Sequence, residues 1–553
     1  MPAGRLRSSH AGRPARALVL LATAAVAVAV FANTLPNALL YDDPGALAMA
    51  DAGVRELAVH RYGLTYLSIR LDRLFWDTWP PGLHLTNVLL QGAAAALAAA
   101  CALVLTRRLL VAVVAGLLFA VHPVHVEAVA SIENRKELLA WILVASSLLL
   151  YRVRPRRPWT LVAAATAFVL AMSAKDAAAV GAAVMLPLSD VVPLAPAARR
   201  DSVVPALAFF LVGASAAIWY AGTATSVWYA GPVVSRFTPA AIADVTEGAC
   251  HGYADVLRTS LAAVPEVARL LLFPVQLSVD HPVRHPTGLG DGAVLLGLAL
   301  LLGWIGTAVA LVRRAPAAAF AMAWVVVMYL PLSNVVPLTP YFVAERYLYV
   351  PSFGVCLLLA IGAEALHRRA GAAGRALAIG IVVLLVGWGS WRSAARNRDW
   401  RDDLSLWTAA VERAPAASAR AHNEIGRALW AAGRNDEAIA HLHKALALGH
   451  DTGDTRSNLG LALLGAGRPQ EAVAEFDRAL ALWPSNPLVR YDLAWALLRV
   501  GRREDAMEHL RRLAGADAWR DLPRGVRAAL AARGMSPEEF RTRVRDWIDR
   551  QAP

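Results

Sequence analysis

Two adjacent carboxylates, Asp42 and Asp43, stand in the stretch NALLYDDPGAL, directly after the first long apolar run of the chain. A carboxylate fixed at a membrane surface can act as a general base that takes the proton of an acceptor hydroxyl, provided its neighbours hold it ionised. Such doublets also cap helices and solvate loops, so it is the position beside a span that favours chemistry. A second group, HPVHVEAVASIENRKELLAW, sets His122, His125 and Glu127 close together and reaches Arg135 and Lys136 as the next apolar run begins. Pro123 favours a helix start there, with His122 at the cap. Two histidines three apart beside a glutamate raise the question of a metal, yet helical zinc ligands usually sit at i and i+4, and Glu127 points away from His125. No protein-held zinc is expected. A loosely held divalent cation is the one cofactor these residues leave room for; otherwise they hydrogen-bond one another or orient a substrate.

Four basic residues suit a phosphate. Arg135 and Lys136 either snorkel to an interface or neutralise a phosphate. Lys175 and Asp176, in SAKD between two apolar runs, form either a self-satisfied ion pair or part of a substrate site. Glu345, Arg346, Tyr347 and Tyr349, in FVAERYLYVPSFG, open a further apolar run. Tyrosines at such a boundary are ordinarily an aromatic belt, whereas the Arg346 guanidinium offers a fork for phosphate oxygens. Charges at a membrane boundary are costly unless paired or solvated, so these positions mark a site by default.

The elements that must position them are apolar helices. Of 553 residues, 57% are hydrophobic, and the mean hydropathy is +0.45. That composition, with apolar runs recurring from residue 17 to residue 391, predicts an integral membrane protein. Runs lie at 17–34, 84–105, 109–121, 138–151, 159–173, 177–194, 203–221, 291–312, 317–331, 348–366 and 375–391. A further run at 259–277 is interrupted by Pro265, Glu266, Arg269 and Pro274, and reads as a re-entrant or interfacial segment. With eleven crossings, every basic cluster between runs falls on one side, which by the positive-inside rule is the cytoplasm. The N-terminus is then cytoplasmic and the C-terminus outside, with the basic-then-apolar start read as an uncleaved first span rather than a removed signal. The motifs above all collect on the outer face, the acid pair within a first outer loop at 35–83. The formal charge of +13 and the isoelectric point near 10.1 come from arginines in short clusters, without a continuous basic face interleaved with aromatics, so no nucleic-acid partner is expected. The three cysteines, Cys101, Cys250 and Cys356, imply no disulfide framework.

Composition changes near Asn397. From residue 396 to residue 553 the chain is polar and repeats with a 34-residue period: Gly426, Gly460 and Ala494; Gly433, Gly467 and Gly501; Ala438, Ala472 and Ala506; Leu442, Phe476 and Leu510. Small residues at fixed offsets let paired helices approach, and the large apolar column fills their stacked core. This is the tetratricopeptide pattern, with repeats at 420–453, 454–487 and 488–521, and such arrays bind polypeptides in a groove. The expected fold is all-α: a polytopic membrane domain over 1–395 followed by an α-solenoid over 396–553.

In order along the chain, YDD after the first span, LTYLSIRLDRLFWDTWPPGLHLTNVLL, HPVHVEAVASIENRKELLA, SAKD, LFPVQLSVDHP, PLTPYFVAERYLYVPSFG, RNRDWRDDLSLW and then the repeats resemble the transmembrane and tetratricopeptide repeat-containing family. That family is a branch of the GT-C superfamily of lipid-dependent glycosyltransferases, related to protein O-mannosyltransferases. The resemblance covers essentially the whole length. It implies a GT-C membrane fold, a polyprenyl-phosphate-linked sugar donor held in the bilayer, and transfer of mannose or another hexose to Ser or Thr hydroxyls of an acceptor polypeptide on the non-cytoplasmic side. It maps the acid pair to Asp42 and Asp43 and the donor-phosphate positions to Arg135, Lys136, Lys175 and Arg346. His122, His125, Glu127, Asp176, Glu345 and Tyr347 are left to position substrate. Where the family usually has Lys-Glu, this chain has Lys175-Asp176. Arginine- and alanine-rich composition fits a high-GC bacterium, for which the membrane would be the inner one. Two rival readings are a non-catalytic scaffold that recruits partners through its repeats, and a transferase whose acceptor is a glycan or a lipid.

Overall fold

The computed structural model describes residues 12–192 and 250–514, apart from residues 52, 61, 154–156, 251, 282, 336–338, 340, 370, 414–418 and 485, together with residues 537–551. Every regular element among the described residues is helical. In chain order these are α1 (Gly12–Phe31), α2 (Asp43–Ala50), α3 (Val54–Val59), α4 (Gly63–Trp76), α5 (Pro80–Thr106), α6 (Leu109–Val121), α7 (Val126–Ala130), α8 (Arg135–Tyr151), α9 (Pro158–Ala174), α10 (Asp176–Val191), α11 (Tyr253–Leu272), α12 (Gly292–Leu311), α13 (Pro316–Tyr329), α14 (Ser352–Arg369) and α15 (Gly371–Asn397). The repeat region adds α16 (Asp403–Arg413), α17 (Ala419–Ala431), α18 (Asn435–Ala447), α19 (Gly453–Gly465), α20 (Pro469–Leu482), α21 (Pro487–Arg499), α22 (Arg503–Ala514) and α23 (Pro537–Gln551).

Contacts divide the chain into two compact units: one from Met1–Asn37, Ala52–Leu277 and Val283–Arg398, the other from Ala38–Asp51, Ser278–Pro282 and Asp399–Pro553. The segment carrying the acid pair therefore groups with the repeats rather than with the residues from Ala52 onward.

The expectation of eleven crossings is not met. Among the described residues, four helices are long and apolar enough to cross a membrane: Pro14–Thr34, Pro80–Thr106, Gly292–Leu311 and Gly371–Asn397. A fifth is added if Leu109–Val121 and Pro123–Ala130, bent by 49°, make one span. The bend falls where His122 is extended and Pro123 supplies no amide hydrogen to continue the helix. Of the other described runs, most are helices of 14 to 17 residues, while α14, with 18, carries Glu364, Arg368 and Arg369. At 1.5 Å per residue, the 17 residues of α8 or α9 and the 14 of α13 fall short of a hydrocarbon layer of about 30 Å. Much of α8 is instead buried in the protein, with Trp141, Val144, Ala145 and Leu148 inaccessible. An apolar sequence run marks a core helix as readily as a membrane span. The run at 203–221 lies outside the described residues. Segment 259–277 forms most of α11, which carries Pro265 in its interior and is not among the candidate spans.

In the repeat unit the sequence columns become contacts. Gly426 faces Leu442 and Gly460 faces Phe476, so closely that an added Cβ would lie 2.5 Å and 2.7 Å from those side chains. Gly433, Gly467 and Gly501 follow the first helix of each repeat with φ of +75°, +75° and +83°, the left-handed conformation in which a glycine ends a helix without strain.

Candidate functional site

The start of α8 organises the first unit. Arg135, Lys136 and Glu137 are consecutive, and successive residues of a helix point about 100° apart, so the three charges face three different neighbours. Arg135 is fully buried: it pairs with Asp72 at 2.7 Å and donates to Asn87 Oδ1 at 2.7 Å and to the Leu83 carbonyl at 3.1 Å. Lys136 pairs with Glu133 and stands over the Tyr62 ring at 5.0 Å. Glu137 pairs with Lys175, which begins the turn into α10. Lys175 thus finds its acid 38 residues upstream.

A second pair adjoins the first. Glu127, on the short helix α7, receives the Arg346 backbone amide at 2.9 Å on one oxygen and the Arg346 guanidinium on the other. Tyr347 sits between the cations, with Lys175 at 5.2 Å and Arg346 at 5.1 Å from its ring centre, and its hydroxyl 2.7 Å from Thr339 Oγ1. Lys136, Lys175 and Arg346 all act electrostatically on Glu137. Glu345 faces Arg396 at 3.5 Å, both fully buried. Buried ions survive only when paired and hydrogen-bonded, and here each cation candidate has a carboxylate partner.

The histidines lie outside these ion pairs. His125 lies between Gln91 Nε2 at 3.3 Å and Ser352 Oγ at 2.8 Å, packed on Phe119 and Tyr349. His122 Nε2 is 3.2 Å from the Leu271 carbonyl oxygen. Among the described residues no group of three or more His, Cys, Asp or Glu side chains could hold a metal ion. Asp176 is half-buried in the first turn of α10, where its Oδ1 accepts the Ala177 amide at 2.8 Å. Elsewhere in this unit α10, α12 and α13 line an apolar groove of about 270 Å³, with Leu188, Trp304, Val309, Phe320 and Val326 on its walls.

Asp42 and Asp43 belong to the other unit. Asp42 is exposed; Asp43 is buried and accepts the Leu40 amide at 3.4 Å as α2 begins. Tyr41, just before them, has φ of +57°, a left-handed conformation that a tyrosine rarely adopts. Its amide donates to Asp403 Oδ1 at 2.9 Å, its hydroxyl accepts from Arg420 at 3.0 Å, and its ring meets Trp407 edge-on at 5.6 Å.

The structure therefore gathers Glu127, Lys136, Lys175, Arg346 and Tyr347 in one charged cluster. Sequence reasoning missed Glu133 and Glu137, which pair with Lys136 and Lys175, and Asp72, which pairs with Arg135 beside the cluster. The R-K-E run was the available signal, because a carboxylate next to two cations at a buried helix start demands a partner of its own.

Models of the tetratricopeptide repeat match residues 417–485 and 463–530. Across more of its length the chain is similar to "Protein O-mannosyl-transferase Tmtc3" of Drosophila melanogaster, 28% identical over 70% of this chain and 48% of that protein. It is 27% identical to "Protein O-mannosyl-transferase Tmtc1" of the same fly over 80% of this chain and 62% of the relative. It is 26% identical to human "Protein O-mannosyl-transferase TMTC3" over 66% of this chain and 42% of the relative. The chain spans about half the length of the curated relatives it matches.

Proposed function

We propose that this chain, homologous to proteins named O-mannosyl-transferases, is a membrane glycosyltransferase that moves mannose or another hexose from a polyprenyl-phosphate carrier to a Ser or Thr hydroxyl of a polypeptide. The observation that carries this reading is the reach of the similarity. Residues 399–553 are 155 of 553, so a match over 70% or 80% of the chain extends well into the membrane unit and is not owed to the repeats alone.

The chemistry asks for little. The acceptor oxygen attacks the anomeric carbon, the bond from that carbon to the carrier phosphate breaks, and the phosphate leaves with the electron pair. The acceptor's proton goes to a carboxylate, here Asp42 or Asp43, and cations stabilise the departing phosphate in an oxocarbenium-like transition state. Among the cations, Arg135 is fully buried and engaged by three partners, which suits a positioning role. Lys136 and Arg346, with side chains 12% and 9% exposed, are better placed to meet an incoming phosphate, and Lys175 supports them through Tyr347. The apolar groove beside α12 suits an isoprenoid tail. The repeats hold the acceptor polypeptide. In this reading the N-terminus is cytoplasmic and the transfer takes place on the opposite face.

The test is transfer from a polyprenyl-phosphate mannose to an acceptor protein by the full chain in vesicles, read by glycopeptide mass spectrometry. Asp42→Asn and Asp43→Asn, singly and together, are expected to cut transfer by at least about a hundred-fold in the double variant. Full activity in the double variant overturns the assignment. A second reading, a non-catalytic scaffold, is favoured by one observation: all four cations already have carboxylate partners. For a transferase that acts on a glycan or a lipid, the discriminating test is removal of residues 397–553: loss of protein glycosylation with glycan transfer spared is the result expected if the repeats present a protein acceptor.

A further inference from the structure

The acid-bearing turn is fastened to the first helices of the repeat unit at three points. The Ala38 amide donates to the Arg401 carbonyl at 2.9 Å, the Tyr41 amide to Asp403 Oδ1 at 2.9 Å, and Arg420 to the Tyr41 hydroxyl at 3.0 Å. Trp407, fully buried, closes on the Tyr41 ring, and the Arg420 guanidinium lies 5.9 Å from the Tyr41 ring and 5.6 Å from that of Trp407. These contacts surround the one residue of the turn whose backbone is strained. A non-glycine residue at φ of +57° persists only where its surroundings impose it, and the residues that follow are the two carboxylates.

Asp403 does more than accept one amide. Its second oxygen pairs with Arg427 at 3.0 Å, Arg427 pairs with Glu424 at 2.9 Å, Glu424 accepts from Asn423 at 3.2 Å, and Asn423 accepts from Asn458 at 3.0 Å. A continuous hydrogen-bonded chain thus runs from the Tyr41 amide across α17 to α19, the first helices of two successive repeats.

We propose that Asp403 is a positioning residue for the carboxylates: by holding Tyr41 in its left-handed conformation it sets the Asp42–Asp43 turn, so that the repeat unit completes the base and does not merely tether the acceptor. This rests on the proposed transfer reaction for its effect on rate, but the clamp itself does not. A polypeptide that reorganises the Asn423–Asn458 end of the chain would act on the same turn.

The experiment uses the full chain in vesicles with a short serine peptide at saturation, too small to need the repeats for capture. Asp403→Leu is expected to lower kcat about ten-fold or more with KM for the lipid donor unchanged, since a hydrogen bond to a charged acceptor is lost. Asp403→Asn keeps an oxygen for the Tyr41 amide and recovers most of the rate. Hydrogen exchange of the amides at 40–46 is expected to quicken about ten-fold in Asp403→Leu and to stay near wild type in Asp403→Asn, with exchange in α19 and α20 unchanged in both as the measure of folding. Tyr41→Phe, which removes the hydroxyl that accepts from Arg420 and keeps the ring, serves as the milder second variant and shifts both readouts in the same direction by a few-fold. Unchanged exchange at 40–46 in Asp403→Leu overturns the clamp, as does unchanged kcat where Asp42→Asn or Asp43→Asn abolishes transfer. If the wild-type chain transfers no sugar, the reaction reading falls and the exchange experiment still decides the clamp.

Discussion

Lys175→Met removes the positive half of the Lys175–Glu137 pair, whose side chains are 4% and 2% exposed. Breaking a buried pair by deleting one partner costs about 3–5 kcal/mol, because a charge is left desolvated and uncompensated. Glu137 is not abandoned entirely, since Lys136 and Arg346 also act on it. The expected loss therefore sits at the low end, about 3 kcal/mol. For a cooperative unit near 400 residues the unfolding entropy converts this into a midpoint drop of about 3–4 °C, measured by differential scanning fluorimetry in detergent. Lys175→Met with Glu137→Gln removes both charges and is expected to recover most of the stability. The double variant also separates two roles. If Lys175 only neutralises Glu137, transfer returns with stability; if it serves the donor phosphate, stability returns and transfer stays low. A midpoint within 1 °C of wild type for Lys175→Met would refute the reasoning, because it would mean the pair is solvated.

Two further tests address the repeats. His422 is buried with its Nδ1 3.0 Å from that of His441, and burial, aided by the charges of Lys444 and His441, pushes its pKa down to about 4. Between an unfolded value near 6.5 and about 4 the unfolded chain binds the extra proton, so stability is full above that window and falls as pH drops through it, by roughly 1–2 kcal/mol. Hydrogen exchange of α17 and α18 across pH 7 to 4 should show this slope, and His422→Gln should flatten it. Gly460→Ala places a methyl 2.7 Å from the Phe476 ring and is expected to cost about 1–3 kcal/mol, seen as faster exchange in α19 and α20.

The repeats were fully legible because their packing is local and periodic. Of the columns of small and large apolar residues that keep a 34-residue register, Gly426 and Leu442, and Gly460 and Phe476, are pairs that touch in the structure. The charged cluster was legible in its members but not in its partners. Arg346 and Glu127 are separated by 219 residues, and no spacing rule announces that one receives the other. The crossings were the least legible element, since an apolar run of 14 to 17 residues serves a helix packed among others and a helix in lipid equally well. The allegiance of residues 38–51 was also hidden: Tyr41 carries no sequence mark of its left-handed backbone, which is imposed by Asp403, Trp407 and Arg420 from more than 350 positions away.

The fan of Arg135, Lys136 and Glu137 at the start of α8 bears on which changes in length the chain can absorb. Adding or deleting one residue inside the first turn of α8, between Arg135 and Glu137, would turn the residues on either side of the change by about 100° relative to one another, so that the three buried ion pairs could not all form in one register. The loss would be collective, so the segment 135–137 behaves as a fixed-length part in which drift by substitution is tolerable and drift by insertion is not.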